Sequence, residues 1–343
     1  MAALERLWYG RSPLAWPLWP LSLLFGAVAR QRRRRYLADV ASGALWQPPV
    51  PVIVVGNISV GGTGKTPVVI ALVEYLRQRG WRPGVVSRGY GGTPPTLPLR
   101  VAGSVDASQC GDEPLLVHLR TGCPVVVDPD RPRALRQLLA STDCNVVISD
   151  DGLQHYRLFR DVELAVVDGQ RGLGNGLLLP AGPLREPPQR LREVDAVLLN
   201  GGSGEAPVLP VAAQRFDLQP TRFVSLDGAR TLAVDGFGAG ARVHALAGIG
   251  NPGRFFATLR SLGLDPREHP FADHHRYQPG DLAFGDGGPV VMTEKDAVKC
   301  RAFATPEHWY LAVEALLPPA FYGMLDARLA QALRRTAGAT ALS

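Results

Sequence analysis

Cysteine is scarce in this chain. Four of its 343 residues are cysteines (Cys110, Cys123, Cys144 and Cys300), and no two share a spacing that would pair them. That argues against a disulfide framework and a zinc site and fits a reducing compartment; the four read as small apolar side chains. Low-complexity tracts and internal repeats are absent too. The 38 glycines and 30 prolines are numerous but dispersed, so they do not imply disorder. Excess positive charge is missing from most of the sequence. Seven arginines against Glu5 and Asp39 within residues 1–40 account for +5 of the net +6. The remainder is close to neutral, which argues against a global field for nucleic acid. What is present is apolar content, 46%, over a length sufficient for two core-forming domains.

The charge belongs to a local device. Between Arg11 and Arg30 run eighteen residues without charge, near the lower limit for a membrane span. Pro13, Pro17 and Pro20 interrupt its first half and argue against a regular full-length helix. Trp8, Trp16 and Trp19, three of the six tryptophans, suit a headgroup boundary, and the Arg30–Arg35 cluster suits anionic lipid. No small-residue cleavage site precedes the arginines, which disfavours a signal peptide. The segment reads as a monotopic element dipping into one leaflet; its competitor is an amphipathic helix packed on the chain's own core.

The densest chemistry is Ser59-Val60-Gly61-Gly62-Thr63-Gly64-Lys65-Thr66, followed by Pro67. It directly follows the apolar run Val50 to Val55 and opens a segment with helical apolar spacing at Val69, Leu72, Val73 and Leu76. Strand, glycine-rich loop and helix together make a phosphate cradle, with backbone N–H groups and the positive end of the helix facing an anion. Lys65 reaches terminal phosphates, and the Thr66 hydroxyl suits Mg²⁺. The ligand read from this alone is ATP or GTP with magnesium. Ser59 stands where a first glycine is usual.

Apolar runs and helical segments alternate over residues 50–200. Strands are expected at 51–55, 84–87, 124–127, 145–149, 163–167 and 195–199, and helices at 66–79, 113–121 and 131–141. This pattern predicts an α/β fold: a P-loop NTPase-like parallel sheet with helices on both faces. Ligands of such sheets lie at the carboxyl ends of the strands. Residues 201–210 read as a linker. Strands at 210–216, 221–226, 242–247, 290–293 and 309–313, with helices ending near 262 and spanning 320–335, predict a second, smaller α/β domain.

Several motifs follow apolar runs. Asp150 and Asp151 end the strand Asn145–Ser149; downstream of a phosphate loop they are better placed to serve a metal than to make a mere turn. Gln154-His155 follows as an outer layer. Ser87-Arg88-Gly89-Tyr90 offers either an ordinary glycine turn or a cation near phosphate. Asp112 and Glu113 open a helix; Asp112 reads as an N-cap or, opposite a γ-phosphate, as the base that takes an alcohol proton. Chemistry alone favours the cap. The long loop from Asp168 to Pro187 is glycine-rich, and Arg131 and Arg185 are candidate phosphate or substrate clamps. Asp273-His274-His275 suits acid/base help better than zinc, because adjacent histidines chelate one ion poorly. Thr293 to Lys299 reads chiefly as a capped helix start, with Asp296 at N3; the alternative is that Lys295 and Lys299 form a phosphate-reaching lysine pair.

Taken together, these motifs resemble the tetraacyldisaccharide 4′-kinases, the lipid A kinases of Gram-negative bacteria. The matching pieces are Val55 through Pro67, Ser87 through Tyr90, Gly111-Asp112-Glu113-Pro114, Asp150 through His155, Leu179 through Pro187, Asp273-His274-His275 and Thr293 through Lys299, in family order over roughly residues 5–330. Ser59 is no departure from that family's loop. The resemblance implies a membrane-associated segment at 1–40, a kinase domain at 41–205 and a C-terminal α/β domain at 206–343 that completes the cleft. It implies transfer of the γ-phosphate of ATP to the 4′-hydroxyl of an acylated glucosamine disaccharide 1-phosphate, with Mg²⁺, on the cytoplasmic face of the inner membrane. The lipid bilayer is then a partner; no nucleic acid and no obligate protein partner are implied. Ser59 through Thr66 would bind the nucleotide, and Thr66, Asp150 and Asp151 would serve the metal. Asp112 would be the base in a dyad with His274, and Lys65 would act on the transferred phosphate. Arg88, Glu113, Arg131 and Arg185 would contact substrate.

Two alternatives belong to other classes. One is a P-loop ATPase with carboxylate-activating or metallochaperone chemistry; the deviant loop of partitioning ATPases carries a lysine where Val60 stands, which argues against it. The other is a nucleotide-switched membrane recruitment module, which would need neither Asp112 nor His274.

Overall fold

The computed structural model describes residues 7–10, 13–201 and 207–340. Glu5, Arg6, Arg11, Ser12 and residues 202–206 of the expected linker lie outside the described residues. The first half of the chain supplies β1 (Val52–Gly56), β2 (Pro83–Ser87), β3 (Leu99–Val101), β4 (Val125–Val127), β5 (Val146–Asp150), β6 (Val162–Asp168) and β7 (Ala196–Asn200). The second supplies β8 (Gln214–Ser225), β9 (Thr231–Leu232), β10 (Arg242–Ala247), β11 (Asp265–Pro270), β12 (Val290–Thr293) and β13 (His308–Leu316). The helices are α1 (Trp19–Ala41), α2 (Lys65–Gln78), α3 (Ala107–Cys110), α4 (Asp112–Thr121), α5 (Arg131–Ser141), α6 (Pro252–Ser261), α7 (Glu294–Cys300) and α8 (Pro319–Thr340).

The strands join edge to edge in the order β3-β4-β2-β5-β1-β6-β7-β8-β13-β12-β10-β11, with β9 hanging on β8. From β4 to β7 the sheet is parallel, and its central strand β1 pairs with β5 and β6. These strands are continuous β-branched runs, buried on both faces, as a helix-covered parallel sheet requires. Their carboxyl ends bring Gly56, Asp150, Asp168 and Asn200 to one edge. The fold is mixed α/β rather than a purely parallel sheet: β3 pairs antiparallel with β4, and β13 with β8.

The two strands expected at 210–216 and 221–226 are one. Its first residues, Gln214–Phe216, pair with β7, and the rest pairs with β13, so β8 carries the sheet from one half of the chain to the other. Pro220, which cannot donate to a ladder, sits opposite Val313 where the register shifts. The sequence break is therefore a bulge within one strand.

Helix α2 buries Val68, Val69, Ile70, Leu72, Val73 and Leu76 against the sheet. Each such side chain contributes about 1.5–3 kcal/mol relative to exposure. The C-terminal α8 returns to the same core with Phe321, Leu325 and Leu329, and Arg335 clasps Asp161 at 2.8 and 2.9 Å. All four cysteines are free and buried, as apolar filler should be. At the N-terminus Pro13–Leu18 forms a 3-10 turn, and the regular helix starts only at Trp19, with Pro20 in its first turn. Among the described residues, no helix is long and apolar enough to cross a membrane.

Candidate active site

The loop between β1 and α2 wraps back on itself and ends at Gly64, in the left-handed region at φ +92°. A side chain there would meet the Asn200 amide, which donates to the Thr63 carbonyl at 3.0 Å. Glycine is therefore required twice, by conformation and by space. The outer rim is held by the glycine-rich segment after β6: Val60 N–H donates to the Pro183 carbonyl at 2.8 Å, and Arg185 N–H to the Ile58 carbonyl at 2.7 Å. From the other half of the chain, Gly250 packs on Gly62, where an added Cβ would lie 2.8 Å from the Gly62 nitrogen. Lys65 is the first residue of α2, and its ammonium lies 3.5 Å from Asp151.

Asp150 and Asp151 end β5 in different settings. Asp151 faces the cavity and pairs with Arg185 at 3.2 Å. Burial would raise its pKa, but Lys65 and Arg185 outweigh that and hold it below the usual carboxylate range. Asp150 is fully enclosed. Burial first, then the carboxylates of Glu113 and Asp151, push it up to about 7. Its Oδ1 is buried without a hydrogen-bond partner. A buried, unpartnered carboxylate oxygen on Asp150, next in sequence to the cavity-facing Asp151 carboxylate, is a hard-oxygen donor that a divalent cation would satisfy, and Mg²⁺ commonly takes few protein ligands. Among the described residues, no cluster of three or more His, Cys, Asp or Glu side chains forms a separate metal centre.

The third component is assembled from distant segments. Asp112 starts α4, but the capping position belongs to Gly111, and the Asp112 carboxylate is only 4% exposed. His274 Nδ1 approaches Asp112 Oδ2 at 3.1 Å. His275 turns away to Asp281 at 3.1 Å. Lys295 Nζ lies 3.1 Å from Glu113, 3.5 Å from Asp273 and 3.8 Å from Asp112. Burial would raise the Asp112 pKa, but His274 and Lys295 hold it below the carboxylate range. Burial would also lower that of Lys295; its three carboxylates hold the ammonium well above its ordinary range instead. His274 has φ +60°, uncommon for histidine, and its ring meets Tyr90 edge-on at 4.9 Å.

A cavity of about 1320 Å³ joins these parts. Its walls include the phosphate-type loop, Asp151, Arg185, Arg88, Glu113, His274 and Lys295, and on another side Leu21, Leu24, Phe25 and Val28 of α1. Asp112 is not part of the wall; it stands behind His274. Arg131 is not either. It is 1% exposed and donates to the carbonyls of Asp128 and Asp150 at 2.8 and 3.0 Å, so it fixes the end of β5 rather than clamping a ligand. His155 faces the cavity and stays neutral, because burial and then Arg131 push its pKa down to about 4. Gln154 donates to the Asn57 carbonyl at 3.0 Å and to Glu186 at 2.7 Å.

Sequence reasoning offers no signal for Asn200, names Tyr90 and Asp273 only within their motifs, and ranks a phosphate-reaching role for Lys295 below a structural one. Thr293 does cap α7, accepting from the Asp296 N–H, yet the intervening Lys295 serves the site. The available signal was a buried strand, β12, ending directly in a short helix that carries a lysine.

A family model described as tetraacyldisaccharide-1-P 4′-kinase matches residues 14–330. A tetraacyldisaccharide 4′-kinase of Pseudomonas putida (strain W619) is 53% identical over 336 residues, 97% of this chain and 98% of its own. One from Azotobacter vinelandii is 53% identical over 97% of this chain and 99% of its own. Among solved structures, LpxK from Aquifex aeolicus in complex with ATP superimposes with a TM-score of 0.76 at 29% identity, covering 92% of this chain and 99% of that one.

Proposed function

The chain belongs to the tetraacyldisaccharide-1-phosphate 4′-kinase family, and we propose that it transfers the γ-phosphate of ATP to the 4′-hydroxyl of an acylated glucosamine disaccharide 1-phosphate in lipid A biosynthesis. The observation that carries this reading is the Asp112–His274–Lys295 cluster, whose His274 and Lys295 line one cavity with the phosphate loop while Asp112 backs His274. A nucleotide switch needs no such group.

The loop N–H groups and Lys65 bind the donor phosphates. Asp150, Asp151 and Thr66 would hold Mg²⁺, which when bound offsets charge developing on the transferred group. The Asp112–His274 pair takes the hydroxyl proton: His274 faces the cavity, and Asp112 behind it fixes the ring and balances the charge gained. Lys295 helps to hold the Asp112 carboxylate below its ordinary range. Arg185 and Arg88 contribute positive charge at the same wall, and Arg131 acts indirectly through β5.

The membrane face is read from α1 and the turn before it. Trp16 is 73% exposed, and Trp19, Leu21, Leu23 and Leu24 are also exposed. Aromatic and aliphatic side chains beside arginines suit peripheral or monotopic seating at the cytoplasmic face of the inner membrane. Purified protein with Mg-ATP and the acylated disaccharide 1-phosphate should give a bisphosphorylated lipid. Absence of that product, with ATP still bound, would defeat the reading.

A further inference from the structure

Among the described residues, six Lys and Arg side chains face the cavity: Arg32, Lys65, Arg88, Arg185, Arg254 and Lys295. Four are committed. Lys65 and Arg185 pair with Asp151, Arg254 holds Asn200 at 2.8 Å, and Lys295 holds Glu113. Among the described residues, Arg32 and Arg88 have neither a carboxylate nor a hydrogen-bond acceptor. Arg88 lies just past the carboxyl end of β2, on the donor side. Arg32 lies on α1.

The position of Arg32 is not an accident of a mobile helix. Leu21, Leu24, Phe25, Val28 and Arg32 recur at helical spacing and form one stripe, apolar until its last member. The next residue points about 100° further round the helix. That residue, Arg33, is anchored in the protein: it donates to Glu193 at 2.9 Å, lies 3.6 Å from buried Glu163, and stacks on Tyr36 and Tyr156. Ser22, one turn from the start of α1, donates to the Leu178 carbonyl at 2.8 Å. These contacts fix the rotation of α1 so that Arg32, unlike Arg33, opens into the cavity. The sequence presents both as part of one lipid-facing cluster; the structure gives them different duties.

We propose that Arg32 is the subsite for the acceptor's own phosphomonoester, the 1-phosphate, at the opposite end of the sugar head from the hydroxyl that reacts. This rests on the kinase reading above. A guanidinium at the polar end of an apolar stripe matches an amphiphile that carries a phosphate next to its acyl chains. Arg32 would then act as a specificity-determining residue, selecting an acceptor already phosphorylated at its reducing end.

The test compares two acceptors in neutral detergent micelles: the tetraacylated disaccharide 1-phosphate and its 1-hydroxyl counterpart. The wild-type chain is expected to favour the phosphate form by about 10- to 100-fold in kcat/KM, the range of one or two charge-assisted hydrogen bonds. In Arg32→Ala the ratio should fall to within about threefold of unity, with the KM for ATP unchanged, while Arg32→Lys should keep part of the preference. Equal losses on both acceptors, or an unaltered ratio, would overturn the assignment. Binding to vesicles containing anionic phospholipid should be the same for Arg32→Ala and wild type; a parallel loss there would assign Arg32 to bilayer headgroups instead. A wild-type chain that uses both acceptors equally refutes the subsite alone, whereas one that phosphorylates neither refutes the kinase reading and the subsite with it.

Discussion

The donor side and the acceptor side of the cavity are built in opposite ways. The donor side is local: β1, eight loop residues and the first two residues of α2 lie consecutively between Val52 and Thr66, and neighbouring segments only brace them. The acceptor side is dispersed. Asp112 opens α4, His274 sits in a loop after β11 at a positive φ, and Lys295 lies in the first turn of α7. The three meet only because β8 carries the sheet across and α7 packs against α4. A cradle for phosphate needs backbone N–H groups, which any short glycine-rich loop presents. A proton-transfer pair needs two side chains at hydrogen-bond distance, and distant segments supply it readily.

That contrast can be broken at several points, from large effects to small. Lys65→Ala strikes the local site and should lower kcat/KM by about 10³-fold, roughly 4 kcal/mol, through one lost phosphate contact; titration with ATP should show weakened binding as well. Arg120→Ala strikes the seam between the halves, because Arg120 on α4 donates to the buried Glu294 of α7. It should cost about 3 kcal/mol in denaturant unfolding by leaving a buried carboxylate unpaired. Lys295→Met removes the cation shared by Asp112, Glu113 and Asp273 and should lower kcat about tenfold. Loss of that cation removes one of the charges that hold the Asp112 pKa down, so the acid limb of the rate profile should move to higher pH. Asp143→Ala removes the partner of Arg82 in a mostly exposed pair and should change stability by less than about 1 kcal/mol, leaving turnover intact.

The same contrast explains what the sequence discloses. β1, α2, α5 and the phosphate loop follow from apolar runs, helical spacing and adjacent glycines, all of which act within about fifteen residues. Asp150 and Asp151 are legible because they end a buried strand of a parallel sheet. By contrast, β3 and β11 are short edge strands, half exposed, with no alternating apolar face to announce them. Asp112 looks like a helix cap because nothing near it in the sequence reveals His274, 162 residues away. Arg131 reads as a ligand clamp, yet its burial behind β5 is a property of packing that no local pattern records. The family resemblance, not residue chemistry alone, is what joined Asp112 to the Asp273-His274-His275 motif.

The direct test of a catalytic pair assembled across the two halves is a double-mutant cycle on Asp112 and His274, measured as single-turnover phosphoryl transfer at saturating Mg-ATP. Each alanine variant should bind ATP normally and lose about 10²–10⁴-fold in rate, and the double variant should be no slower than the worse single, because two members of one unit cannot be lost twice. Losses that multiply, or an Asp112→Ala variant with near-normal turnover, would contradict it.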